Sequence, residues 1–175
     1  MFGASRALLI TMTMCFHLRA VPPGELRDDV RSLERLFEDD WPTVRERIGL
    51  RREEVLDQRY LDHELLYAGS VPHLPEDDPR AQVVLGGRPV FHSALGLPPF
   101  LLLTVAETAA VAAFLASADF AALWHGSRDD LLPRYGGPAT EPQTRGAFAA
   151  AHRDLTEFYA HASASGEAVV KWLLL

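Results

Sequence analysis

Two stretches near the ends of this chain alternate with a period of two, and almost everything between them carries helical signals. Met12, Met14, Phe16 and Leu18 point one way while Thr13, Cys15, His17 and Arg19 point the other. Glu167 to Leu175 repeats the alternation, with Ala168, Val170, Trp172 and Leu174 on one face. A period of two marks a half-buried strand. The expected fold is therefore α+β: a mostly helical single domain with a small mixed or antiparallel sheet that includes the N- and C-terminal strands.

The middle of the chain supplies the helices. Leu26, Val30, Leu33 and Phe37 recur at spacings of three and four, which predicts a helix over about 23–37. Asp40 is placed to cap a second, with Pro42 near its start and Gly49 at its end. Asp57 to Ala68 reads as a third, with Leu61 and Leu65 inward and Gly69 as its stop. Asp78-Pro79 opens a short helix that runs through Leu85 to the pair Gly86-Gly87. Arg88 to Pro99 reads as irregular, and the wholly apolar Phe100 to Leu103 as a buried strand. Thr104 and Glu107 have capping-box spacing before a helix to about Ala116, and Thr140 to Gln143 repeats it. A helix over Asp119 to Trp124 lies between them. Phe148, His152, Leu155, Tyr159 and Ala162 then form one stripe that ends at Gly166.

A chain of 175 residues suits one domain. Its 48% apolar and 23% charged residues are those of a globular protein. The net charge of −7 argues against a nucleic-acid partner, because phosphate binding needs clustered basic residues. No apolar run of about 18 residues is present to span a membrane. The single cysteine, Cys15, has no internal disulfide partner, which fits a reducing cytoplasm. Residues 1–11 read as an N-terminal extension, with the domain over 12–175.

Several side chains invite a chemical reading. His63-Glu64 opens a near match to the zinc-protease pattern His-Glu-x-x-His, but Tyr67 stands where the second histidine belongs. With His73 the only other ligand nearby, the expectation is no metal, and a solvated His-Glu pair on a helix. Asp57, Tyr60 and Glu64 recur at helical spacings, so two carboxylates and a phenol would share a face, as general acid/base groups or as a polar ligand pocket. The alternative is a cap, a packed ring and a solvated charge. His17 and Arg19 would line a cleft if helices cover one face of the sheet, and otherwise be edge-strand charges. Gly86-Gly87 reads as a helix stop rather than a phosphate loop. No nucleophile elbow and no cofactor motif is present.

The order of these features resembles the YfbM-like family, domain of unknown function 1877. The resemblance rests on Asp57-x-x-Tyr60 closing at Gly69, Val-Leu-Gly86-Gly87, Leu103-Thr-Val-Ala-Glu107, and Phe158-Tyr159-x-x-Ala162 before Gly166 to Val170. It covers residues 12–174 and implies a compact bacterial α+β domain of unassigned activity. The family pattern has Trp where Tyr60 stands and His at the position of Glu64. His63 does not replace that His, because neighbouring helical residues point about 100° apart.

Two readings follow. The favoured one is a non-enzymatic binding or protein-interaction module with a protein partner or self-association, supported by apolar surface such as Ala118 to Trp124. The other is a small hydrolase or transferase using Asp57, Tyr60, Glu64 and His17.

Overall fold

The computed structural model describes residues 14–69 and 74–174. The expected extension over 1–11, the start of the expected first strand and His73 lie outside them. The described strands are β1 (Cys15–Val21), β2 (Glu53–Leu56), β3 (Arg88–Val90), β4 (Phe100–Leu103) and β5 (Ala168–Leu174). They form one sheet in the order β2-β1-β5-β4-β3, with every neighbouring pair antiparallel. Its longest ladder joins the terminal strands, from Cys15 opposite Leu174 to Val21 opposite Ala168. The helices are α1 (Val30–Arg35), α2 (Trp41–Gly49), α3 (Tyr60–Ala68), α4 (Pro79–Gln82), α5 (Val105–Ser117), α6 (Phe120–Leu131) and α7 (Glu141–Ala164).

Alternation sends successive strand residues to opposite faces, and both faces are packed. Phe16, Leu18 and Val169 join Leu66, Val111, Leu115, Phe148, Leu155 and Phe158 in the larger core. Val21, Leu102 and Val170 join Leu33 in a smaller one, against which Phe37 and Trp172 pack. β1 is an interior strand, so His17 and Arg19 are not on an edge, and Arg19 lines a depression of ≈ 440 Å³ with Leu36, Glu46, Arg47 and Arg52.

Local details depart from the sequence reading for identifiable reasons. The first helix covers only Val30–Arg35, because Pro22 to Glu25 closes a turn and the Asp29 carboxylate caps a fresh start by accepting from Ser32 N at 2.9 Å. β2 was hidden by Glu53-Glu54, whose adjacent charges face opposite sides of the sheet and are both buried. β3 is a three-residue edge strand inside the expected irregular segment, tolerated with Pro89 because an edge leaves one side unpaired. α3 begins at Tyr60 rather than Asp57, and Leu61 points outward at 55% exposure while His63, Leu66 and Tyr67 point in. α6 runs to Leu131, beyond the expected stop at Trp124, and a 3₁₀ turn continues to Tyr135.

The capping box at Thr104 forms: its hydroxyl accepts from Glu107 N at 3.1 Å and the Glu107 carboxylate from Thr104 N at 2.8 Å. The one expected at Thr140 does not, because that hydroxyl bonds the carbonyls of Tyr135 and Gly137 instead. Among the described residues no single helix is long and apolar enough to cross a membrane.

Candidate functional site

Three side chains from three elements converge on the main chain of one turn, Gln82 to Gly87. Asp78 accepts from Arg80 N at 2.9 Å and, with Pro79, starts the one-turn helix α4. Beyond it, Lys171 Nζ on β5 donates to Gln82 O at 2.5 Å. Tyr159 on α7 donates its hydroxyl to Val83 O at 2.7 Å. Leu85 N donates to the Glu64 carboxylate of α3 at 3.0 Å. These groups satisfy backbone atoms that have left the helix. Gly86 follows where a Cβ would lie 2.3 Å from Ala81 O, and Gly87 has φ +128° with Leu102 O 3.0 Å from the place of its Cβ. Only glycine fits both positions.

Gln82 itself is nearly closed to solvent, at 2% exposure. Its amide nitrogen donates to Glu76 O at 3.1 Å and to Glu107 Oε1 at 3.4 Å. Both partners are acceptors, so the amide cannot be flipped, and among the described residues Gln82 Oε1 is left buried without a donor.

Burial sets the electrostatics here. Lys171 stands on β5 between Leu18 of β1 and Leu101 of β4 and has no exposed surface. Loss of solvent pushes its ammonium down to about 7, opposed by the carboxylates of Glu64 and Glu107. Burial raises Glu64, against the pull of Leu85 N–H and of Lys171. Burial also holds the Tyr159 phenol far above its ordinary range, so it stays a donor.

The turn forms the rim of three adjoining depressions. One of ≈ 330 Å³ is lined by Glu64, Glu76, Leu85, Gly86, Gly87 and their neighbours. A second of ≈ 290 Å³ shares Glu76, Gly87 and Pro89 and adds Asp77, Gln82 and Glu107. The third, of ≈ 270 Å³, is apolar: Tyr60, Leu61, Leu85, Pro98, Pro99, Leu101, Phe16 and Leu173 line it. Leu85 belongs to both the first and the third.

Of the residues proposed from sequence, only Glu64 and Tyr60 meet at this rim, on either side of Leu85. The Tyr60 ring stacks on Phe16 at a centroid distance of 5.4 Å. Asp57 lies around the corner, accepting from Arg59 N at 2.9 Å and lining a different pocket with Arg59 and His63. His17 and Arg19 occupy the other face of the sheet. There His17 Nδ1 meets Glu53 at 3.0 Å, Arg47 Nε donates to Glu53 at 2.8 Å, and Arg19 reaches Leu36 O and Asp39. Burial, then the neighbouring Arg47, lowers the Arg19 guanidinium.

The expectation of a solvated His63 is corrected. The imidazole is 5% exposed, packs on Phe148 at 4.6 Å, and is pushed by burial down to about 4. Tyr67, at the absent ligand position, instead meets His152 Nδ1 at 2.9 Å. Among the described residues no three His, Cys, Asp or Glu side chains converge to hold a metal.

Sequence reasoning missed Lys171, Gln82, Glu107 as a site residue and Tyr159. Lys171 did carry a signal: it is the one lysine of the chain, and the alternation of β5 puts it on the face opposite Val170 and Trp172. Val169 and Leu173, its companions on that face, are apolar.

The comparisons agree with this architecture. The structure of YfbM from Escherichia coli, described as a protein of unknown function, superposes with a TM-score of 0.60 over 91% of this chain and 99% of that one, at 17% identity. At that identity the likeness speaks for the fold alone. No curated protein matches the chain. The model of domain of unknown function 1877 matches residues 12–172, nearly the whole sequence, and the chain belongs to that family.

Proposed function

We propose that this domain is a non-enzymatic protein-interaction module whose contact surface is centred on Leu85. The observation that carries the reading is the junction at that residue of an apolar groove and an acid-lined pocket. Apolar centre and polar flank side by side are the anatomy of a protein contact. Leu61 stands at the groove 55% exposed, and the segment leading into it carries exposed Phe91, Leu95 and Leu97. The rim is also rigid, because Lys171, Tyr159 and Glu64 hold its main chain from below. A preformed surface loses less conformational freedom on binding.

The same geometry weighs against the hydrolase or transferase reading. Asp57 and His17 lie away from Tyr60 and Glu64, and Leu85 stands between those two, so among these four residues no proton acceptor stands beside a nucleophile. The apolar stretch Ala118 to Trp124 does not supply the surface either, since Trp124 is buried and Phe120 and Leu123 pack against the core.

The test is light scattering together with affinity capture, using the intact chain and Leu61→Asp. A specific partner or a defined self-association is expected for the parent chain and at least a tenfold loss for the variant, with folding unchanged. An inert monomer at high concentration, or capture indifferent to Leu61→Asp, overturns the reading.

A further inference from the structure

We infer that the acid-lined pocket beside Leu85 receives a basic side chain, lysine or arginine, presented by the protein partner; this rests on the interaction-module reading above. The two polar depressions share Glu76, Gly87 and Pro89 and so adjoin along one wall. Carboxylates reach them from four positions, Glu64, Glu76, Asp77 and Glu107. Lining the second on the basic side is Arg88, which already meets Asp28 at 2.7 Å. Lys171 lies beneath with no exposed surface and offsets part of the charge of Glu64 and Glu107, which leaves Glu76 and Asp77 as the outward-facing acids.

A second observation, independent of the carboxylates, points to a donor. Gln82 lines the second of these depressions at 2% exposure, and its amide is held by two acceptors, so that among the described residues Oε1 has no hydrogen-bond partner. A buried acceptor in that state is stabilised by an incoming N–H. Ammonium and guanidinium groups carry donors only, and charge-assisted bonds to carboxylates are the stronger class. A bare metal ion fits less well, since among the described residues the acids do not converge tightly enough to ligate one. The apolar groove across Leu85 suits the aliphatic residues that would flank the basic one in a peptide.

The experiment follows the Gly86 and Gly87 backbone amides of the full chain by NMR during titration with acetyl-Leu-Lys-Leu-methylamide. The arginine and norleucine versions and butylamine are titrated alongside. Saturable shifts with a Kd on the order of 1 mM are expected for the lysine and arginine peptides, as for a small ligand offering one charged anchor. The norleucine peptide and butylamine are expected to bind at least about tenfold more weakly, one lacking the charge and the other the apolar flanks.

Glu64→Gln keeps an acceptor for Leu85 N, and Glu76→Gln alters a side chain that makes no hydrogen bond among the described residues. Each is expected to weaken the lysine peptide about tenfold. Equal binding of the norleucine peptide, or indifference to both variants, overturns the inference. Butylamine as tight as the peptide overturns the protein source and leaves a free amine, and calcium saturating the same amides without competition from the peptide overturns the ligand class. Loss of the charge preference with Leu61→Asp still disrupting the partner complex sinks this inference alone.

Discussion

Lys171 and Gln82 are 89 residues apart, yet the ammonium of the first donates at 2.5 Å to the main-chain carbonyl of the second. One strand residue of the central β5 thereby fixes a turn at the molecular surface. The bond is made without solvent, so its two ends depend on each other strongly.

Replacing Lys171 with Met is expected to destabilise the fold by ~3 kcal/mol at neutral pH, because it strands Gln82 O and leaves Glu64 and Glu107 without their cation. The pH dependence gives the signature. The folded ammonium titrates near 7 instead of 10.5, so between these values the unfolded chain holds more protons and parent stability rises with pH. Urea unfolding at pH 7, 8 and 9 should show that rise in the parent and not in Lys171→Met.

His63 and Glu54 are expected to pull stability in opposite directions in mildly acidic solution. His63 titrates at about 4 when folded against 6.5 ordinarily, so the unfolded chain takes up the proton first and stability falls as pH drops from 6.5 towards 4. Glu54, raised by burial from 4.5 to about 7, keeps its proton when folded, so its contribution is lost as pH rises across that window. His63→Leu removes the first slope, a difference of up to ~3 kcal/mol. Its urea midpoint should exceed the parent's at pH 5 and decline from there to pH 7; a variant that tracks the parent at every pH contradicts the assignment.

Gly86→Ala is expected to cost roughly 2 kcal/mol or more, since its Cβ would meet Ala81 O, a main-chain atom, at 2.3 Å. Gly126, inside α6 with nothing within 4 Å of a Cβ, is the control. Its change to Ala should stabilise by ~0.5–1 kcal/mol through helix propensity. Thermal melts of the two variants should move in opposite directions.

Tyr67→Phe removes a phenol that burial keeps protonated and that meets His152 Nδ1 at 2.9 Å. A loss of ~1 kcal/mol is expected, the net worth of one hydrogen bond. Denaturant midpoints measure it, and no change would mean the bond contributes nothing.

Fold class, family and most helix starts are legible along the chain. Strand periodicity at Phe16 and Val170, the Thr104–Glu107 box and the Asp40 and Asp78 caps are local signals, written within a few residues of where they act. β2 is an edge strand buried on both of its faces, so Glu53 and Glu54, adjacent and both charged, mask its alternation. His63 was misplaced because a helix of nine residues reveals its period but not which side the core will take. The site, by contrast, is set by long-range packing. Lys171, Tyr159, Glu64 and Gln82 are meaningless as a spacing, since antiparallel pairing of the two ends brings β5 under the turn, and burial, which no local pattern encodes, gives their bonds their strength.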